Sequence, residues 1–174
     1  FLLRIIESKL ILNSAYIISL SEISIQYLKK NIHYRTKKFL YVPTCVDTKK
    51  FSIAKKNTHS SEIILGCIGT IQSGWFLNNY LINFYIEFKK VFPNSILKII
   101  TNDDHNLIKN LFKENKIKDY LIKSSNSKNI VDEIRSLDLN LMFFSNDFAK
   151  LASCPTRLSE SLACGIPIVT NPGL

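Results

Sequence analysis

Short apolar runs alternate with longer amphipathic segments along most of the chain. The runs are four to six residues long, rich in Ile, Leu and Val, and separated by a helix or a helix-length segment. This alternation is typical of an α/β domain in which a parallel sheet is covered by helices on both faces. The strands predicted for that Rossmann-like sheet are Ile63–Ile68, Ile96–Thr101, Tyr120–Lys123, Leu139–Phe144 and Ile166–Thr170.

Helical periodicity separates these strands. Phe76, Tyr80, Phe84 and Phe88 recur every four residues, which predicts one side of a helix packed on the sheet, so we assign these aromatic rings to the core. Two further helices are predicted at Asn106–Asn115 and Ile130–Leu137. The polar segment Ser145–Ser153 is expected to be a loop.

The beginning of the chain predicts a different, incomplete sheet. Ala15–Ser19 and Phe39–Val42 are short apolar strands, and the helix between them starts at Ser21. The polar run Lys55–Ser61 is the best candidate for a linker. We therefore divide the chain into residues 1–44, an interdomain linker at 45–61, and a second domain at 62–174 that is incomplete.

Ser153–Gly173 combines local structural signals with possible chemistry. Pro155 suits the first turn of a helix, Gly165 suits its left-handed end, and Ile166–Thr170 follows as a strand. At about 100° per residue, Leu158 and Leu162 are expected on the core side of this helix, with Arg157 and Glu160 opposite them.

The first turn of this helix could bind an anion. Its backbone N–H groups, at Thr156 and Arg157 among others, have no acceptor within the helix, and the helix dipole favours negative charge there. Glu160 could accept hydrogen bonds from a pair of sugar hydroxyls. The alternative is that Arg157 and Glu160 form an ordinary surface ion pair three residues apart.

The first strand of the large domain runs into a loop that contains Gly69, Thr70 and Gly74. A strand, a glycine-containing loop and then a helix is the arrangement that places ligands at the carboxyl edge of an α/β sheet. The glycines do not form a G-x-G-x-x-G fingerprint, so this is a weak indication of a binding site.

Composition and charge narrow the class of protein. The chain has 46% hydrophobic residues, which suffices for a core, and its four cysteines and three histidines are too dispersed for a zinc site, so no metal is expected. The net charge of +9 is concentrated between Lys29 and Lys56, where nine Lys or Arg accompany one Asp. We interpret this segment first as a solvated face and second as a contact for an anionic membrane surface; no nucleic-acid module accompanies it.

A family resemblance joins these observations. Residues 155–171 read PTRLSESLACGIPIVTN, which closely resembles the nucleotide-binding segment of GT-B glycosyltransferases of family 4, also called group 1. Upstream, FAKLASCPTR resembles an extension of that motif and adds Lys150 to it. Residues 43–51 read PTCVDTKKF and resemble the segment that leaves the acceptor domain in these enzymes.

The resemblance implies a function for the parent protein. It implies transfer of a sugar from a nucleoside diphosphate sugar to a saccharide or lipid-linked acceptor, with retention of configuration and without a metal or other cofactor. Residues 1–44 would end the acceptor domain, and residues 62–174 would be most of the nucleotide-sugar-binding domain, the C-terminal half of a GT-B architecture. The residues expected to bind the nucleotide sugar are Gly69, Thr70, Lys150, Ser153, Pro155, Thr156, Arg157 and Glu160.

Two departures from the family pattern concern this site. Gln72 stands in the first loop, where the family often has Gly-Arg and a following Lys that bind diphosphate. Ala152 stands where the E-x7-E motif has its first Glu, the residue that usually contacts the donor sugar. The catalytic base is not identifiable and is expected outside this chain.

The chain begins at Phe1 and reads as a piece of a longer protein, so we expect this piece alone to be inactive. Two alternatives remain open: a non-catalytic remnant that at most binds nucleotide, and a nucleotide-sugar epimerase of the same fold. Polysaccharide biosynthesis in the cytoplasm, peripheral to the inner face of the membrane, is the expected setting.

Overall fold

The chain folds into two compact units. The computed structural model describes residues 2–53, 61–124, 126 and 128–172. The first unit comprises the described residues up to Cys45 together with Asn146–Pro155, and the second comprises those of Val46–Ser145 and of the segment from Thr156 onward.

The first unit contains a small parallel sheet with helices. Its strands pair in register, with Tyr16 opposite Lys38 and Ser19 opposite Tyr41, which confirms that the two early strands belong to a sheet of their own. Ser21 caps the second helix by accepting a hydrogen bond from the Ser24 N–H at 3.2 Å. The elements are α1 (Leu2–Asn13), β1 (Tyr16–Ser19), α2 (Glu22–Lys29), a 3₁₀ helix (Ile32–Tyr34) and β2 (Lys38–Tyr41).

The second unit contains a five-stranded parallel sheet in the order β5-β4-β3-β6-β7. The predicted Rossmann-like sheet is therefore confirmed. Its strands are β3 (Ile63–Ile68), β4 (Ser95–Ile100), β5 (Tyr120–Lys123), β6 (Leu139–Met142) and β7 (Ile168–Thr170). The helices of this unit are α3 (Asn78–Val91), α4 (His105–Glu114), α5 (Ile130–Arg135) and α7 (Thr156–Ala163).

Two apolar cores lie on the two faces of this sheet. Alternate residues of β3 enter different cores, as the two-residue period of a strand requires: Leu65 packs with α3 and α4, whereas Ile64 packs with α5. A buried ion pair joins α5 to β4, with Lys98 Nζ 2.5 Å from Glu133 Oε2. Burial raises the pKa of Glu133, but Lys98 and Lys123 outweigh that effect, so the pKa lies below its ordinary value.

The aromatic stripe before β4 is only partly in the core. Phe76 is buried but precedes α3, and Tyr80 is 49% exposed, so its assignment to the core was wrong. Leu81, Ile82 and Tyr85 form the buried side instead. At 3.6 residues per turn a four-residue repeat drifts by about 40° per step, so Tyr80 lies farther from the buried side of the helix than Phe84 and Phe88 do.

The division into units differs from the predicted domains in two places. The expected loop after β6 contains a short helix, α6 (Phe148–Leu151), which belongs to the first unit: the Phe148 ring lies 4.4 Å from that of Tyr27. The described start of the predicted linker packs in the second unit, where Phe51 is 6% exposed. Residues 54–60 of the predicted linker lie outside the described residues.

None of the helices in the described ranges combines the length and the apolar composition that a membrane crossing requires.

Gly66 provides a test of the packing between β3 and Leu137, which follows α5. A Cβ added at Gly66 would overlap the side chain of Leu137, which is completely buried, whereas a Cβ at Gly74 meets nothing within 4 Å. We expect Gly66→Ala to lower the free energy of unfolding by about 1–3 kcal/mol, as overpacking of a core does. Gly74→Ala, the control, should change it by less than about 1 kcal/mol.

Urea denaturation followed by circular dichroism measures both variants. A Gly66→Ala protein as stable as the parent would mean that Leu137 does not occupy this position against β3.

Candidate functional site

The candidate site residues of the second unit lie at or near the carboxyl edge of its sheet. Gly69 and Thr70 follow β3 directly, and α7 is the crossover helix between the parallel neighbours β6 and β7. Because a crossover leaves one parallel strand at its carboxyl end, α7 starts toward this edge. This is the edge at which open α/β sheets bind ligands.

The predicted helix and its end are confirmed. The helix runs from Thr156 to Ala163, and Gly165 adopts φ +76°, the left-handed conformation that a glycine tolerates. Ile166 N–H then donates to the carbonyl of Ser161 at 2.9 Å, which satisfies a carbonyl at the helix end.

The buried side of α7 is not the side that the sequence predicted. Leu162 is 58% exposed, whereas Ser161 and Cys164 are buried, so the expected apolar Leu158–Leu162 face is wrong. Ser161 and Cys164 follow Arg157 by four and seven residues, which places all three along one side of the helix. Arg157 and Glu160 therefore adjoin the buried side rather than oppose it.

A polar contact replaces the expected leucine packing. Asn140 on β6 donates through Nδ2 to the Ser161 hydroxyl at 2.8 Å, and neither residue has any exposed surface. Small polar residues let the helix approach the sheet closely, and their hydrogen bond compensates part of the cost of burying them. Neither residue was recognised in the sequence because their partnership spans two elements.

Arg157 and Glu160 form an ion pair in the structure through Nη1 and Oε2. The side chains differ in exposure, with 36% of Arg157 and 15% of Glu160 accessible. The two residues form the i,i+3 ion pair that was the alternative to a ligand-binding role. The carboxylate is nevertheless too buried for an ordinary surface pair. Glu160 also affects its surroundings: burial raises the pKa of the Cys164 thiol, and Glu160 adds to that rise while Arg135 opposes it.

Arg135 holds the chain segment beside α7. Its guanidinium donates to the Ser52 carbonyl from Nε at 3.0 Å and from Nη2 at 2.9 Å, and Nη2 also reaches the Ser52 hydroxyl at 2.9 Å. The sequence assigned no role to Arg135, because its partner lies 83 residues away.

The backbone of the loop after β3 binds the carboxylate of a residue that is distant in the sequence. Gly69 adopts φ +118° with open space around its Cα, as a close backbone approach requires, and its N–H donates to the Ile100 carbonyl at 3.0 Å. Beyond it, Asp103 accepts hydrogen bonds from two successive amides, those of Ile71 at 2.7 Å and Gln72 at 3.0 Å. Asp103 was not recognised as a site residue in the sequence.

The remaining candidates fall in the first unit. The boundary between the units lies between Pro155 and Thr156, so Lys150, Ser153 and Pro155 belong to one unit and the α7 residues to the other. The Ser153 hydroxyl donates to the Lys150 carbonyl at 2.8 Å. A joint role of Lys150 and Arg157 stays a prediction.

Asn171 orders the edge between β6 and β7. Its side-chain amide accepts from the Phe144 N–H and donates to the Phe144 carbonyl, both at 2.9 Å, as a neighbouring strand would.

The described residues contain no group of three His, Cys, Asp or Glu side chains that could hold a metal ion.

Comparison with known proteins identifies the fold. No family model and no curated protein matches the sequence. Solved structures do: WaaG, a glycosyltransferase involved in lipopolysaccharide biosynthesis, matches with a TM-score of 0.68 and 14% identity over 90% of this chain and 44% of its own. The pneumococcal O-GlcNAc transferase GtfA, in complex with UDP and GlcNAc, matches with a TM-score of 0.66 and 12% identity over 95% of this chain and 32% of its own.

A third structure, the apo form of the lipopolysaccharide outer core galactosyltransferase WaaB, has a TM-score of 0.62 and 16% identity over 90% of this chain and 43% of its own. The chain thus has the fold of the corresponding part of GT-B glycosyltransferases, and it spans less than half of the length of each of these three.

The Arg157–Glu160 pair can be compared directly with a surface pair of the same spacing. A double-mutant cycle with Arg157→Met and Glu160→Gln should give a coupling energy of about 1 kcal/mol, because the carboxylate is largely buried. Glu87 and Lys90 on α3 form an i,i+3 pair with exposures of 69% and 64%, and a matching cycle there should give about 0.2–0.5 kcal/mol.

Chemical denaturation of the four proteins in each cycle supplies both values. Equal coupling at the two sites would show that Arg157 and Glu160 are an ordinary surface pair.

Proposed function

We propose that this chain is part of a GT-B glycosyltransferase that takes its sugar from a nucleoside diphosphate sugar. In this proposal the second unit binds the donor nucleotide, and residues 1–44 end the acceptor-binding domain. The observation that carries the proposal is α7: a segment with the glycosyltransferase-like motif forms the crossover helix into β7, in a chain that has the GT-B fold.

The start of α7 suits a diphosphate. The N–H groups of its first turn have no acceptors within the helix, and the positive end of the helix dipole lies there. Arg157 adds a guanidinium that is 36% exposed and can bind two phosphate oxygens at once. We assign the diphosphate to Arg157 and to the amides near Thr156.

Glu160 suits a ribose. An ionised carboxylate accepts hydrogen bonds through both oxygens, and a cis-diol presents two donors at matching spacing. The carboxylate is 15% exposed, so its interactions are only partly screened by water. Because Glu160 pairs with Arg157, donor binding would replace part of this ion pair by contacts with hydroxyls and phosphate.

The other assignments rest on the family resemblance. Gly69 and Thr70 would approach the donor through their backbone, and the resemblance adds Lys150, Ser153 and Pro155 as donor-binding residues. Catalysis would consist chiefly of electrostatic stabilisation of the departing diphosphate by cations and amides, with retention of configuration and without a metal. The group that activates the acceptor would lie outside this chain.

The acceptor is proposed to be a saccharide or a lipid-linked molecule. WaaG is involved in lipopolysaccharide biosynthesis and WaaB is a lipopolysaccharide outer core galactosyltransferase, which supports a glycan acceptor. A cytoplasmic location with peripheral membrane contact through the basic segment Lys29–Lys56 stays a proposal; Lys55 and Lys56 of that segment lie outside the described residues.

A second candidate is a nucleotide-binding module that transfers no sugar. The Arg157–Glu160 ion pair favours it, because the two side chains already partner each other and stabilise α7. Ala152, in place of the first Glu of the E-x7-E motif, also favours it, since the contact to the donor sugar would be missing. Binding without turnover by the full parent protein would support this candidate.

Glu160→Gln tests the ribose assignment. The substitution keeps the size of the side chain and removes its charge, so we expect the affinity for UDP to fall about tenfold or more, as loss of charged hydrogen bonds predicts. The affinity for inorganic pyrophosphate, which has no hydroxyl pair, should not fall, because the substitution releases Arg157 from its carboxylate partner. Isothermal titration calorimetry with both ligands separates the two effects.

Glu87→Gln on α3 serves as the control, because it removes the same charge from an exposed position. Equal losses for UDP and pyrophosphate in Glu160→Gln would exclude the ribose role. If the parent chain bound neither ligand, the proposed function itself would fail.

We expect the 174-residue chain by itself to transfer no sugar. GT-B chemistry takes place in a cleft between two domains, and the positioning that such a cleft provides can lower a barrier by roughly 7–11 kcal/mol. The chain spans 32% to 44% of the length of GtfA, WaaG and WaaB. It therefore does not correspond to both complete domains that form such a cleft.

Incubation with radiolabelled nucleotide sugars and saccharide or lipid acceptors measures any transfer, with Glu160→Ala as the reference. Turnover by the parent chain above that reference would contradict the need for two complete domains.

A further inference from the structure

The loop that follows β3, Gly69–Leu77, is called here the β3–α3 loop, and it encloses an anion of the protein itself. The N–H groups of Ile71 and Gln72 both point to Oδ2 of Asp103, at 2.7 Å and 3.0 Å. Successive backbone N–H groups that converge on one point form an anion-binding concavity of the kind that holds phosphate in other proteins. Here a carboxylate already occupies it.

The backbone holds Asp103 in this position. Asp103 follows β4, the neighbour of β3, and its N–H donates to the hydroxyl of Thr101 at 3.1 Å. Thr101 is 3% exposed, so this anchor is part of the folded interior. The carboxylate therefore reaches the β3–α3 loop from a defined base, across a separation of 32 residues along the chain.

The two chain segments that meet here, residues 69–77 and 101–106, contain carboxylates but no Lys or Arg. Residues 61–88 contain no Lys or Arg, and the neighbouring Asp104 supplies a second carboxylate that caps α4 by accepting from the Asn106 N–H at 2.8 Å. The field of Asp103 reaches the end of β3: burial raises the pKa of the Cys67 thiol, and Asp103 raises it further. A phosphate placed at this loop would meet an anion instead of a cation.

We propose that Asp103 is a specificity-determining residue that blocks the amides of the β3–α3 loop against phosphate. If the proposed function holds, the donor diphosphate lies on the α7 side of the edge, and the β3–α3 loop faces the uncharged, hydroxyl-bearing part of the donor. Hydroxyl groups can donate hydrogen bonds to a carboxylate, whereas the same carboxylate repels phosphate oxygens. Asp103 thus separates the part of the site that binds the diphosphate from the part that binds the sugar.

The test uses inorganic pyrophosphate as the probe and the amide signals of Ile71 and Gln72 as the readout, in a ¹⁵N-labelled chain followed by NMR. In the parent, pyrophosphate should leave these two signals unchanged. Asp103→Ala vacates the concavity, so the two signals should shift saturably with pyrophosphate. The overall affinity for pyrophosphate should rise about fivefold or more.

Asp104→Asn is the matched control. It removes one negative charge at the adjacent position while Asn continues to cap α4, and it leaves Asp103 on the Ile71 and Gln72 amides. No pyrophosphate-dependent shift of these amides is expected in this variant. A response equal to that of Asp103→Ala would overturn the proposal, because general charge would then explain the effect.

Asp103→Asn covers the case in which Asp103→Ala does not fold. Asparagine keeps a side-chain oxygen near the amides but carries no charge, so pyrophosphate should compete with it and shift the same two signals. Unchanged signals in every folded Asp103 variant would overturn the proposal, and so would equal shifts in the parent. If the parent binds no UDP while the variant signals respond to pyrophosphate, the blocking role of Asp103 stands and the proposed nucleotide function fails.

Discussion

Burial of β3 on both faces is the constraint on which the rest of the second unit depends. β3 lies between β4 and β6 in the sheet and contributes alternate side chains to two separate cores. Gly66 is needed within it because the side chain of Leu137 fills the space where a Cβ would stand. Once β3 is enclosed in this way, its carboxyl end and the loop after it have a fixed position at the edge of the sheet.

The helix of the candidate site is attached to that sheet by polar as well as apolar contacts. The fully buried hydrogen bond between Asn140 and Ser161 joins α7 to β6, and Ala163 and Cys164 pack in the core below. A buried polar pair is directional, so it favours one rotation of the helix over others in a way that leucine packing alone does not. This rotation sets how far Glu160 is buried.

Charge divides the ligand-binding edge of the second unit into two parts. α7 supplies a guanidinium and a helix start, which suit an anion, whereas the region between β3 and β4 supplies the carboxylates of Asp103 and Asp104. A donor with a charged diphosphate and a neutral sugar matches this division.

Periodicity and end signals by themselves determined the class of fold. The alternation of apolar runs with helical stripes predicted all five parallel strands, and Pro155 and Gly165 located α7, because these signals are local and depend on a few neighbouring residues. The motif at residues 155–171 pointed to a group of enzymes that share the observed fold. Only the tertiary structure decided which side of α7 is buried, that residues 146–155 belong to the first unit, and that Asp103 occupies the amides of Ile71 and Gln72. These features depend on contacts between residues distant in the chain, and no local pattern of apolar and polar residues records such contacts.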